Sequence, residues 1–144
     1  MADRRYLPDV NVLIALSDPE HAGHRAAVEW YRQIEDDCFL LCSVTEAGFV
    51  RLTAAPQVGG REMKEAMAML RAITRLPNSA QLPMPGSWLK LVEPFASRLH
   101  GYRQVTDALL LGLVIESGAI LVTLDQRVEA LASGEFQGNL LTLR

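Results

Sequence analysis

The sequence predicts an α/β fold, a parallel sheet covered on both faces by helices. Three observations predict it. Short apolar runs alternate with longer segments of helical period along the whole chain. The runs Phe39–Cys42 and Ile120–Thr123 are continuously apolar, as in strands buried on both faces. Three of the runs are followed by an acid at the start of a helical segment, a recurring strand-to-helix handover.

Arg5–Pro8 reads as a first strand, and Val10–Leu16 as an apolar helix beginning directly after Asp9. From His21 to Glu35, Ala22, Ala26, Trp30 and Ile34 recur every four residues, while Arg25, Glu29, Arg32 and Glu35 supply a polar face; this is an amphipathic helix. Phe39–Cys42 is the second strand, and Ser43-Val44-Thr45-Glu46 opens a helix to about Ala54. Gly59-Gly60 interrupts the chain before a helix over Arg61–Leu76, whose Met63, Met67 and Leu70 form a stripe expected to fill packing space. Pro77–Gly86 carries three prolines and a glycine and reads as a loop; Trp88–Leu99 is helical, interrupted near Pro94. From Thr106 an almost wholly apolar helix, Ala108–Ile115, runs to Gly118 and is expected to be the core helix. Ile120–Thr123 is a strand, Asp125–Ala132 a short helix and Asn139–Leu143 a last strand.

With 144 residues the chain suits one domain over residues 1–144, with one core and one site. Hydrophobic residues at 49% and charged residues at 22% exclude a disordered or fibrous protein. The formal net charge of −3 provides no global positive field, so a nucleic-acid partner would have to be held by local arginines or metal ions. No run of about 18 uncharged apolar residues exists, and Met1-Ala2-Asp3-Arg4-Arg5 leads into a strand and not a signal-peptide core, so a cytoplasmic protein without a membrane partner is expected. Cys38 and Cys42, with His21 and His24 nearby, suggest zinc only superficially. On a strand rising about 3.3 Å per residue their sulfurs would stand roughly 13 Å apart, too far to share an ion.

Among 17 acidic residues, four stand at entrances to apolar segments: Asp9, Glu46, Asp107 and Asp125. Each has two readings. An acid in the first turn of a helix caps free N–H groups and favours the positive end of the dipole, and Glu46 has the spacing of a capping box with Ser43. Taken together they read differently. In a parallel sheet Asp9, Glu46 and Asp125 come to the same carboxyl edge, and Asp107 opens the core helix that leads into the strand before Asp125. Like charges so close raise one another's pKa or require a cation. Oxygen-only ligands select Mg2+ or Mn2+ over zinc, and the expected chemistry is metal-assisted phosphodiester hydrolysis, in which the ion activates water and offsets charge on the phosphate. Asn11 and Thr123 lie two residues from Asp9 and Asp125 and can orient a carboxylate or a bound water; helix capping and strand-end hydrogen bonding are their alternative roles.

The segments Pro8-Asp9-Val10-Asn11-Val12-Leu13-Ile14, Thr45-Glu46, Val105-Thr106-Asp107-Ala108 and Thr123-Leu124-Asp125, in that order and with all four acids present, resemble the PIN-domain family. The resemblance covers nearly the full length, and His21–Tyr31 and Gly101–Leu113 are similar to VapC-type toxins in particular. It implies a three-layer α/β/α fold with a central parallel sheet. It implies a metal-dependent endoribonuclease, the toxin of a VapBC toxin–antitoxin pair, with Asp9, Glu46, Asp107 and Asp125 as catalytic and metal-binding residues. A homodimer and inhibition by a cognate VapB-type antitoxin, bound heteromerically, are implied too. Arg103 and Arg127 stand near Asp107 and Asp125 and are candidates to grip an RNA phosphate; simple solvation is the other reading. Gly59–Gly86 matches no catalytic motif and is left to shape the substrate groove or the dimer.

The rival enzyme is a PIN-type nuclease of DNA or structured nucleic acid using the same acids. A non-catalytic α/β signalling or binding module is the rival of another class. A receiver-like module expects an acidic doublet by the first strand and a lysine after a late one, whereas Lys64 and Lys90 precede the late strands. A dinucleotide-binding module expects Gly-x-Gly-x-x-Gly after the first strand, and none is present. A degenerate, scaffold-only PIN domain is opposed by the four intact acids.

Overall fold

The computed structural model describes residues 3–144; Met1 and Ala2, read above as the lead into the first strand, lie outside the described residues. Among the described residues five parallel strands form a sheet: β1 (Arg5–Pro8), β2 (Cys38–Leu41), β3 (Ser79–Gln81), β4 (Ile120–Thr123) and β5 (Leu140–Thr142). Their spatial order is β3-β2-β1-β4-β5. The chain winds outward from β1 through β2 to β3, then returns to lay β4 on the other side of β1. The carboxyl ends of β1 and β4 therefore flank the point where the winding reverses, the place where such sheets open a crevice.

Successive strand residues point to opposite faces, and two cores follow. Leu7, Leu40 and Leu121 pack with α5 (Trp88–Val92), α6 (Val105–Ser117) and α7 (Val128–Ala132). Tyr6, Phe39, Leu41 and Val122 pack with α1 (Val10–Ser17), α2 (His24–Ile34), α3 (Ser43–Ala54) and α4 (Met63–Thr74). The result is the expected three-layer α/β/α arrangement. On the second face Trp30 meets the Tyr6 ring edge-on at 5.9 Å, and Tyr31 meets Phe39 at 5.5 Å. On the first, α6 is buried over Leu110–Val114, as its unbroken apolar composition requires, and ends at Gly118 with φ 70°. A Cβ on Gly112 would stand 2.6 Å from the Leu91 carbonyl oxygen, so glycine there lets α6 lie directly against α5.

The structure departs from the sequence expectations in several places, three of which concern the edge strand and the helices α2 and α4. The Pro77–Gly86 segment is not all loop, because Ser79–Gln81 pairs with Phe39–Leu41 as the edge strand β3. Three residues, two of them exposed, leave no hydrophobic pattern to read. Helix α2 starts at His24, not His21; the His21 Nδ1 instead accepts from Gly23 N–H at 2.9 Å, closing a turn ahead of the helix. The methionine stripe does not fill the core, since Met63 and Met67 are 55% and 42% exposed. Helix α4 turns Ala66, Met69, Leu70 and Ile73 inward, a stripe rotated away from the one the methionines mark.

Candidate active site

Asp9 follows β1 and is the N-cap of α1: its Oδ1 accepts from Val12 N–H at 3.0 Å. Its own N–H donates to the Val122 carbonyl at 2.9 Å, stitching the cap to β4 across the crevice. The Thr123 hydroxyl, fully buried at the end of β4, donates to Asp9 Oδ2 at 2.6 Å. The same hydroxyl accepts from Asp125 N–H at 3.0 Å. One side chain thus sets both the orientation of the first acid and the backbone that carries the last. The cap reading and the site reading of Asp9 are compatible, because each oxygen takes one of these bonds and retains a free lone pair.

Asp107 occupies the first turn of α6 and is half-buried. Its carboxyl is pushed up to about 6, first by burial and then by the negative charges of Asp9 and Asp125, with Arg127 opposing. Burial also raises Asp9, against the stabilising bonds from Thr123 and the Val12 amide. Asp125 goes the other way: Arg127 donates to it from Nε at 3.0 and 3.2 Å and from Nη2 at 2.8 Å, and holds its carboxyl below the usual range. Asp9, Asp107 and Asp125 are therefore electrostatic neighbours, as a common carboxyl edge predicts.

Glu46 stands in the first turn of α3, directly after β2 and at the same edge. The expected Ser43–Glu46 capping box does not form. Cys42 is the cap, and the Thr45 hydroxyl accepts from Cys42 N–H at 3.1 Å, so Ser43 is already helical and Glu46 has no part in the cap. Glu46 lines a shallow groove between α3 and α4 with Met67 and Arg71. Asn11 is exposed in the first turn of α1. Arg103 lies over the Tyr102 ring at 5.7 Å and donates from Nε to its hydroxyl at 3.3 Å, so in this structure it is engaged with its neighbour and not with an acid. Thr123 therefore does more than the strand-end hydrogen bonding its position suggests, and its signal in the sequence is a hydroxyl at a strand end two residues before an acid.

Among the described residues no three His, Cys, Asp or Glu side chains stand as a ready-made metal cage. The donors nonetheless fit a hard divalent cation. Asp9, Asp107 and Asp125 offer only carboxylate oxygens, the donor type such a cation takes, and the Asp107 carboxyl is raised first by burial and then by the charges of Asp9 and Asp125, with Arg127 opposing. A cation at this edge would meet a substrate phosphate at the sheet's reversal point, an arrangement suited to hydrolysis of a phosphodiester.

The family model described as PIN domain matches residues 6–134. The chain is 36% identical to Ribonuclease VapC38 of Mycobacterium tuberculosis, with 88% of this chain and 89% of that protein covered. It is 32% identical to Ribonuclease VapC44 of the same organism, covering 96% and 99% respectively. Among solved structures, VapBC2 from Rickettsia felis bound to a DNA fragment from their promoter shares the fold, with a TM-score of 0.66 at 11% identity, 96% of this chain and 98% of that chain being covered. The acids at the sheet's reversal point, the matching family model and these relatives agree, and the chain belongs to the PIN-domain family, in its VapC-type branch.

Proposed function

We propose that this chain is a metal-dependent endoribonuclease, the toxin of a VapBC-type toxin–antitoxin pair, acting as a single domain over residues 1–144. The observation that carries the reading is the Thr123 hydroxyl joining Asp9 to the Asp125 backbone, beside Asp107, whose carboxyl is raised by burial and then by the charges of both acids. Relatives named as VapC ribonucleases, matched over nearly their whole length, support RNA as the substrate.

In this reading Asp9, Asp107 and Asp125, with Glu46 from the same edge, hold Mg2+ or Mn2+. The ion, when bound, supplies Lewis-acid activation of water and neutralises charge at the phosphate. Asp9 is held rigid by Val12 N–H and Thr123, so it presents a fixed oxygen to the site. Asp107, with its carboxyl near 6, is ionised at neutral pH and takes up a proton in mild acid. Thr123 is a positioning residue, and Asn11, exposed in the first turn of α1, is assigned in this reading to orient a bound water. The VapBC2 complex supports a VapB-type antitoxin as the heteromeric partner, beside the homodimer expected of the family. No helix among the described residues is long and apolar enough to cross a membrane; a cytoplasmic location is part of the proposal and stands on the toxin reading.

The test is cleavage of a panel of structured RNAs and matching DNAs by the purified protein, with Mg2+, Mn2+ or EDTA, beside Asp9→Asn. Metal-dependent cutting of RNA, lost in the folded variant and spared on DNA, is expected. Undiminished metal-dependent activity in Asp9→Asn would show that the site is misplaced, and preferential cutting of DNA would overturn the choice of substrate.

A further inference from the structure

Asp125 and Arg127 stand two residues apart in the turn between β4 and α7, and the turn folds the arginine back onto the acid. Asp125 Oδ1 accepts from the Arg127 backbone N–H at 2.9 Å and from Nε at 3.0 Å; Oδ2 accepts from Nη2 at 2.8 Å. Both oxygens of a site acid are thus engaged by the chain's own cation. The arginine side chain is 77% exposed and that of Asp125 only 26% exposed. The guanidinium therefore sits at the solvent rim of the site, where an ion pair costs little to open and no core packing moves with it.

The charges make this contact conditional. Burial and then the charges of Asp9 and Asp125 raise the Asp107 carboxyl, and Arg127 is the cation that opposes them there. A divalent ion supplies twice the charge of an arginine and competes for the same Asp125 oxygens. Once the acids are neutralised, the guanidinium has less to hold it and remains tethered beside the site. Its planar fork is as well matched to two oxygens of a phosphate as to two of a carboxylate.

We propose that Arg127 is an exchangeable counter-ion: it holds Asp125 while the site lacks a cation, and when the cation binds it leaves Asp125 to grip a backbone phosphate of the RNA. This rests on the nuclease reading above. A fixed phosphate-binding arginine would serve RNA in both states of the site, and a merely structural ion pair in neither.

Arg127→Gln separates these cases, because the side chain is exposed and its replacement leaves both cores intact. The first readout is Mn2+ binding to the RNA-free protein, followed by calorimetry in wild type, Arg127→Gln and Asp9→Asn. Removing the competing charge should tighten Mn2+ roughly threefold to tenfold in Arg127→Gln. The second is anisotropy of a short, mixed-sequence phosphorothioate oligoribonucleotide with and without Mn2+. Arg127→Gln should weaken its binding about fivefold with Mn2+ present and leave the metal-free value unchanged. Unchanged or weaker Mn2+ binding in Arg127→Gln, an equal loss of RNA affinity in both states, or no loss with Mn2+ each overturns the exchange. Mn2+ binding that survives in Arg127→Gln but is lost in Asp9→Asn keeps the nuclease site while the exchange is judged on its own. Failure of the wild type to bind Mn2+ sinks both.

Discussion

Replacing Thr123 by valine removes one oxygen and keeps the shape, and that oxygen carries two bonds. Its hydroxyl donates to Asp9 Oδ2 at 2.6 Å in a site where Asp9 is only 7% exposed. A hydrogen bond to a charged group contributes about 1.5–3 kcal/mol, and losing the acceptor for the half-buried Asp125 N–H adds about 0.5–1 kcal/mol. The extra buried methyl of valine returns about 0.8 kcal/mol. The net loss is therefore about 1–3 kcal/mol, or roughly 3–10 °C in Tm for a chain of this size. Thr123→Ser is the control, because it keeps both bonds and loses only a methyl, at about 1 kcal/mol. Urea unfolding of the three proteins in EDTA, at a pH where Asp9 is ionised, reads the difference directly. Valine should also weaken Mn2+ binding while serine does not, since only valine releases the Asp9 carboxylate. A valine variant as stable as the serine variant, with equal metal affinity, would refute the claim that this hydroxyl organises the site.

Two further predictions concern charge and packing. Because the Asp107 carboxyl is raised from 3.8 to about 6 in the fold, its contribution to stability is fully present below about pH 4 and is lost as pH rises through about 6. In EDTA the metal-free protein should lose about 1–2 kcal/mol of stability across that interval, a figure discounted for the half-exposed side chain. Asp107→Asn should flatten the slope, saturating Mn2+ should reverse it, and Mn2+ affinity in the wild type should fall as pH drops below about 6; a thermal-melt series against pH checks all three. Gly112→Ala should destabilise the fold by about 2–4 kcal/mol, because the new Cβ meets the backbone of Leu91 at 2.6 Å and forces α6 from α5. A urea midpoint unchanged from wild type would contradict that packing.

The residues that make the elements were legible in the sequence where short-range physics governs them. The continuous apolar run at Phe39–Leu41 can be satisfied only by a buried strand, and the unbroken apolar stretch of α6 only by a buried helix closed at Gly118. Asp9, Glu46, Asp107 and Asp125 announced themselves by standing where those elements begin, and the parallel sheet brought the strand-end acids to one edge for the same reason. Edge strand β3 was not legible, because Ser79–Gln81 owes its extended form to the neighbouring β2 backbone and not to its own side chains. Nor was the face that α4 buries, which depends on how α4 lies against α3. The cap of α3 passed from Ser43 to Cys42 because a strand's last residue decides where the next helix can start.

What the sequence determined by itself was periodicity, the acids' order and their attachment to strand ends, since these depend on spacing along the chain. Tertiary structure alone decided which acids feel one another, that Thr123 spans Asp9 and Asp125, and that Arg127 turns back onto Asp125 and not out to solvent. Hydrogen bonds and Coulomb interactions depend on distance through space, and residues 9 and 123 become neighbours only when β4 is laid beside β1.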